Sequence, residues 1–128
     1  MGTVGVGVDI VDVARFARAL QRHPKIVGRL FTDDERRDAN SRPERLAARF
    51  AAKEAVLKSL QAGFGAAPWK SIEIRRGANG APSVRLHGPA AQLAAQKGVA
   101  TLHVSLSHTE LMAAAFVVGS SKDTNLAR

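Results

Sequence analysis

The 128-residue chain contains no cysteine and no tyrosine, and its aromatic residues are five phenylalanines and one tryptophan. Without cysteine, neither a disulfide framework nor a thiolate metal site can form. Aromatics at 5% offer few platforms on which unpaired bases would stack. No run of about 18 consecutive apolar residues occurs. The start MGTVGVGVDIVD carries Asp9 early and has no basic leader, so neither a membrane span nor a signal peptide is expected, and a cytoplasmic protein is. Acidic residues are also few, 11 against 19 Lys and Arg, for a formal charge of +8. Such a surplus favours polyanionic partners: nucleic acid, a nucleotide phosphate or an acidic protein.

What remains is the composition of one ordinary globular domain, 45% hydrophobic and 23% charged. Residues 3–10, TVGVGVDI, alternate strictly, with Val4, Val6, Val8 and Ile10 on one face and Gly5, Gly7 and Asp9 on the other. Asp9 thus projects from a face without neighbouring side chains. Asp12 is placed to cap a helix VARFARALQR, whose Val13, Phe16, Ala17 and Leu20 share a face while Arg15, Arg18 and Arg22 share another. The segment after His23 and Pro24 has no clear period. Ser41 and Glu44 have capping-box spacing before a helix expected to run to about Gly63. Alternation around Asn79-Gly80 predicts a hairpin, PAAQLAAQK a short helix, and VATLHVSLS and LMAAAFVVG two strands joined at residues 108–110. The expected fold is α+β, a small antiparallel sheet packed around a central helix, with the domain at 1–119 and a frayed tail at 120–128.

The central helix carries the chemistry. Leu46, Phe50, Leu57 and Leu60 form one apolar stripe, and Ala48, Ala52, Ala55 and Ser59 form a nearly opposite stripe of small residues. Glu54 and Lys58 fall on the strip between two buried faces. A carboxylate there needs a cation or a metal as partner. An i, i+4 pair with Lys58, worth about 0.2–0.5 kcal/mol, would account for Glu54 alone but not for the second isolated carboxylate, Asp9. Two hard oxygen ligands suit Mg²⁺ when phosphates and water complete its shell, and Lys58 could meet a phosphate.

Three stretches, GVGVDIVDVARF at 5–16, RFAAKEAVLKSL at 49–60 and VSLSHTELMAAA at 104–115, together with NGAP at 79–82, resemble the small holo-acyl-carrier-protein synthase class of 4′-phosphopantetheinyl transferases. The resemblance implies the transferase fold and transfer of 4′-phosphopantetheine from coenzyme A to a serine of apo acyl carrier protein, in fatty acid biosynthesis. It implies Asp9 and Glu54 as Mg²⁺ ligands and Lys58 on the pyrophosphate. Arg49 and His108 would serve coenzyme A, with Thr109 beside His108 and Gly80 and Pro82 near the adenine. Arg15 would meet the acidic carrier protein. It further implies a homotrimer with active sites between subunits. The serine proton would go to Glu54 or to a metal-bound water. KSLQAGFG at 58–65 departs from the usual K-A-x-G-x-G, which bears on the loop near the pantetheine.

Two other classes fit parts of the pattern. A basic nucleic-acid-binding domain would explain the arginine stripes at 15/18/22 and 42/45/49 but finds few aromatics and no recognition motif here. A carrier-protein-binding relative without activity would explain Arg15 but not the retention of Asp9, Glu54 and Lys58.

Overall fold

The computed structural model describes residues 2–122. Its first strand, β1 (Thr3–Asp12), is antiparallel to β5 (Met112–Ser120), which pairs in turn with β4 (Thr101–His108), giving a three-stranded sheet in the order β1-β5-β4. A separate hairpin joins β2 (Ile72–Arg76) to β3 (Pro82–Leu86). Between β1 and the hairpin run α1 (Val13–Arg22), two short helices α2 (Ile26–Leu30) and α3 (Asp33–Asp38), and the long α4 (Pro43–Ser59); α5 (Gly88–Gln96) follows β3.

Helix α4 is the axis of the molecule because its composition lets it be covered from two sides. Eleven of its 17 residues are buried, including Leu46 and Leu57 on the large stripe and Ala48, Ala52, Ala55 and Ser59 on the small one. The small stripe meets β1. A Cβ on Gly5 would overlap the Ser59 carbonyl, and one on Gly7 the Ala55 carbonyl, so only glycine lets strand and helix backbones lie this close. The faces of β1 are therefore reversed from those of an ordinary half-buried strand. Its glycines point at the core, and Val6, Val8 and Ile10 point out, exposed by 55, 52 and 62%. Val4, next to a register shift between Thr3 and Gly5, packs against the core instead.

Several boundaries differ from the sequence expectation for local reasons. Pro43 forces its predecessor into extended geometry, so Arg42 (φ −76°, ψ 129°) is the N-cap of α4, not Ser41, and no side chain caps it. The helix stops at Ser59 rather than near Gly63. Gln61 takes the left-handed C′ position (φ 55°), and the Ala62 and Gln61 amides donate to the Leu57 and Lys58 carbonyls, a Schellman closure. The aperiodic segment forms α2 and α3, and Thr32 and Glu35 make a full capping box. The expected tail boundary at 119 falls short, since Ser120 ends β5 and Ser121 exchanges hydrogen bonds with Gly2. Residues 123–128 lie outside the described part.

Gly7→Ala should destabilise the fold by at least about 3 kcal/mol, because the backbone it strikes cannot rotate away. Gly28→Ala, inside α2 with open space around it, should be neutral or stabilise by up to about 1 kcal/mol. Urea denaturation of both variants checks this; similar midpoints for the two would contradict the close β1–α4 contact.

Candidate active site

Asp9 and Glu54 meet where β1 crosses α4. Glu54 is pushed up from 4.5 to about 7, first by burial and then by the neighbouring Asp9 carboxyl, with Lys58 pulling the other way. Lys58 does not pair with Glu54 as an i, i+4 surface pair would. Its Nζ donates to Asp9 Oδ1 at 3.1 Å and to the Val8 carbonyl at 2.9 Å. Both anchors belong to β1, so the glycine face that admits α4 also delivers Asp9 to it. Glu54, Leu57, Lys58, Ala62 and Phe64 line a hollow of about 220 Å³ beside the pair.

Two carboxyls brought close together repel unless a proton or a cation offsets their charge. Among the described residues no three His, Asp or Glu side chains gather elsewhere or here. The donor set is thus two oxygens from the protein, which fits an ion such as Mg²⁺ that keeps water and takes substrate phosphates for the rest.

A second site lies on another side of α4. Arg45, Arg49, Arg75, Arg76, Gly80, Pro82 and His108 line a cleft of about 260 Å³. Four of the sequence-derived coenzyme A residues, Arg49, Gly80, Pro82 and His108, are therefore together. Arg49 shares a basic stripe with Arg42 and Arg45, yet it is buried, and among the described residues its Nε has no hydrogen-bond partner and its Nη1 donates to the Arg45 carbonyl at 3.2 Å. Burial lowers its pKa, against the pull of Asp38 and Glu35. Arg75 is committed to Asp34 and Asp38. Arg76 sits under Gly80, whose φ of 83° closes the 77–80 turn. Arg75 and Arg76 had no sequence signal beyond their place before an NG turn.

Thr109 lines a neighbouring hollow with His108, Glu44 and Glu110. Its hydroxyl accepts the Leu111 and Met112 amides and so shapes the β4–β5 turn. Arg15 is exposed on α1, its amide held by the Asp12 cap.

Within one chain the carboxyl pair and the arginine cleft are apart. Glu54 follows Arg49 by five residues, a rotation of about 140° about the helix axis, so the two point to different sides of a helix that is packed between them.

The fold, a carboxyl pair beside a lysine and a cleft of arginines, defines a phosphoryl-transfer class, and comparison with known proteins resolves it. Residues 5–115 match the 4′-phosphopantetheinyl transferase superfamily, and the chain belongs to that family. Within it, the chain is similar to holo-[acyl-carrier-protein] synthases. It is 53% identical to that of Frankia casuarinae over 121 residues, covering 94% of this chain and all of the relative. It is 52% identical to that of Clavibacter michiganensis, covering 89% and 92%. The holo-[acyl-carrier-protein] synthase of Helicobacter pylori, solved in complex with coenzyme A, superposes with a TM-score of 0.82 at 30% identity, covering 90% of this chain and 99% of that one.

Between pH 4.5 and about 7 the folded chain keeps a proton on Glu54 that the unfolded chain has released, so raising the pH across that window favours unfolding. Glu54→Gln removes this component. In chelator, the variant's denaturation midpoint should gain on the wild type as pH rises from 4.5 to 7; a constant difference across the window would refute the raised Glu54 carboxyl beside Asp9.

Proposed function

We propose that this chain is a holo-acyl-carrier-protein synthase that transfers the 4′-phosphopantetheine group of coenzyme A to a serine of an apo acyl carrier protein and releases adenosine 3′,5′-bisphosphate. The observation that carries the reading is the Asp9–Glu54 carboxyl pair beside Lys58 in a member of this family. Asp9 and Glu54 would hold Mg²⁺, which supplies Lewis-acid charge to the pyrophosphate. Lys58, exposed at its tip and pinned to Asp9 at rest, turns its ammonium to a phosphate oxygen once that oxygen arrives. The serine oxygen forms a bond to the β-phosphorus, the bridging P–O bond breaks, and the bisphosphate leaves with the electron pair. The serine proton passes to a base at the pair. Arg49 enters this scheme with an unpaired, buried guanidinium edge facing the cleft; with His108, Gly80 and Pro82 it receives the adenosine bisphosphate end. Charge complementarity of that kind is most of what a protein contributes to phosphoryl transfer.

The distance between cleft and carboxyl pair supports sites built between subunits of a homotrimer. Val6, Val8, Ile10 and Phe116 offer an exposed apolar sheet face for the contact, and Val8 lies opposite Phe116 in the β1–β5 register. Such a patch is unusual for a monomer. Arg15, on the open side of α1 with Arg18 and Arg22, meets the acidic carrier protein, a fatty acid synthesis carrier in the cytoplasm. No helix among the described residues is long and apolar enough to cross a membrane.

Mass spectrometry of apo carrier protein after incubation with coenzyme A and Mg²⁺ tests the reaction: the wild type should add one phosphopantetheine, and Asp9→Asn should lose at least about a hundredfold in rate while staying folded. Arg15→Glu should raise the carrier-protein KM steeply, since a like-charge contact at an interface costs several kcal/mol, and leave the coenzyme A KM nearly unchanged; Arg37→Ala, outside the stripe, should do little. No mass gain with wild type, or equal weakening of both substrates by Arg15→Glu, would defeat the respective assignment.

Assembly is checked by sedimentation. The wild type should run as a trimer, and Val8→Asp should give an inactive monomer. A monomer fully active at every concentration would end the shared-site picture.

A further inference from the structure

We propose that Asp38 is a positioning residue for the arginine cleft, fixing the 77–80 turn so that Arg76, Gly80 and Pro82 face Arg49; this rests on the transferase reading above. The β2–β3 hairpin forms a sheet of its own with no third strand, and two strands alone are marginally stable. Its outer edge is closed by side chains instead. The Ile74 amide donates to Glu35 Oε2 at 2.9 Å and the Arg76 amide to Asp38 Oδ2 at 3.2 Å. Glu35 and Asp38 stand one turn apart on a single face of α3, and Ile74 and Arg76 are alternate residues whose amides point to one edge of the strand. Helix α3 thus takes the place of a neighbouring strand, with two carboxylates as its acceptors.

The two carboxylates act differently. Glu35 is wholly buried and shared with Lys53, so it belongs to the core. Asp38 is half-buried where β2 leaves the core for the turn. Opposite Arg76 in the register stands Pro82, which has no amide to give, so the hairpin's own ladder is thin at this step. The same Asp38 oxygen accepts Arg75 Nε at 3.0 Å, and Arg75 Nη1 reaches Asp34 at 3.1 Å. Arg75 is thereby turned to α3 although it lines the cleft. Burial would raise the Asp38 carboxyl, but the Arg75 and Arg76 bonds and the charges of Arg75 and Arg49 hold it below its ordinary range.

By charge alone a carboxylate near an anion site weakens binding. By position it strengthens binding, because groups set in advance lose little freedom when the ligand arrives. Position outweighs charge here, since Arg75 and the Arg76 amide already offset the carboxylate. Loss of Asp38 leaves Glu35 on the Ile74 amide and Asp34 on Arg75, so the body of the hairpin stays docked and its turn end is released.

The experiment uses the full-length chain, with calorimetric binding of adenosine 3′,5′-bisphosphate, which needs no turnover, beside steady-state transfer. Asp38→Ala should weaken bisphosphate binding and raise the coenzyme A KM together, each by about tenfold, since displacing a positioned group by about 1 Å costs up to about a hundredfold. Saturated kcat and the carrier-protein KM should change less than about twofold, as the carboxyl pair and α1 are untouched. Asp38→Asn keeps an acceptor oxygen and should recover most of the loss, leaving a rise of about two- to threefold. Asp34→Ala, which leaves the Arg76 amide held, should change both constants less than about twofold. The proposal is overturned if Asp38→Ala binds the bisphosphate as well as wild type or better, if it lowers kcat without changing either constant, or if Asp34→Ala costs as much. Should Asp38→Ala fail to fold, Asp38→Asn decides: the small rise supports the proposal, and unchanged or tighter binding overturns it. Wild type that binds the bisphosphate but transfers nothing would overturn the reaction while Asp38 is still judged on binding; wild type that does not bind it overturns both.

Discussion

The structure turns on the buried ion pair between Lys53 and Glu35. Both side chains are wholly inaccessible, and the Lys53 Nζ donates to Glu35 Oε1 at 2.8 Å, to the Trp69 carbonyl at 2.9 Å and to the Ile72 carbonyl at 2.6 Å. Glu35 in turn accepts the Thr32 amide and the Ile74 amide. Burial lowers the Lys53 pKa and Glu35 opposes this. A pair of charges taken out of water is tolerated only when every donor is used in this way, and it contributes more to uniqueness of arrangement than to net stability. Here it joins α3, α4 and the start of β2 at one point, and thereby sets the rotation of α4 about its own axis. Lys53 facing inward leaves Glu54, about 100° further round, at the edge where β1 brings Asp9.

That rotation is useful only because β1 can come close. Two glycines opposite two small residues of α4 remove the side-chain layer that normally separates strand from helix. Asp9, the next inward-facing residue of β1, then meets Glu54 directly rather than across a hydrophobic spacer. The same economy has an outward consequence. A strand whose inner face is glycine must put its large apolar residues on the other side, so the close contact that makes the carboxyl pair also makes the exposed patch of Val6, Val8, Ile10 and Phe116.

Much of this was legible in the chain. The alternation in TVGVGVDI, the two stripes of α4 and the Asn79-Gly80 turn each follow a single local rule, and the structure keeps all three except at Val4, where the register shift turns the side chain to the core. Glu54 and Lys58 follow from the two buried stripes, and Asp9 from the glycine face of the first strand. What was not legible depended on partners distant in sequence. Lys53 falls in step with Leu46, Phe50 and Leu57, and nothing local shows what satisfies its charge there; the answer is Glu35 of α3, 18 residues away. Thr32 and Glu35 have capping-box spacing, but the helix they open is six residues long and has no hydrophobic period to announce it. Ser41 failed as a cap because the geometry Pro43 demands of its predecessor outranks side-chain preference at an N-terminus. Arg49 belonged to a regular basic stripe, and only the packing of β2 and β4 against α4 shows that this stripe runs from solvent into a cleft.

A helix covered on two faces has few positions left for chemistry, and on α4 they are its edges. Arg49 and Glu54 occupy different edges with the packed core between them, so no side-chain motion within one chain lets both touch one small ligand without unpacking the helix. A charge exposed alone on an edge would be an ordinary surface residue. Arg49, buried with an Nε that has no partner among the described residues, and Glu54, half-buried beside the Asp9 carboxyl, are instead each destabilised in the isolated chain. Each is relieved by the opposite charge: an anion for the guanidinium and a cation for the carboxyls. A pyrophosphate-bearing ligand arriving with a divalent ion would satisfy both if the cleft of one copy faced the carboxyl pair of the next. The exposed sheet face and the two strained charges would then be one feature of the sequence, and the proposed assembly would answer all three.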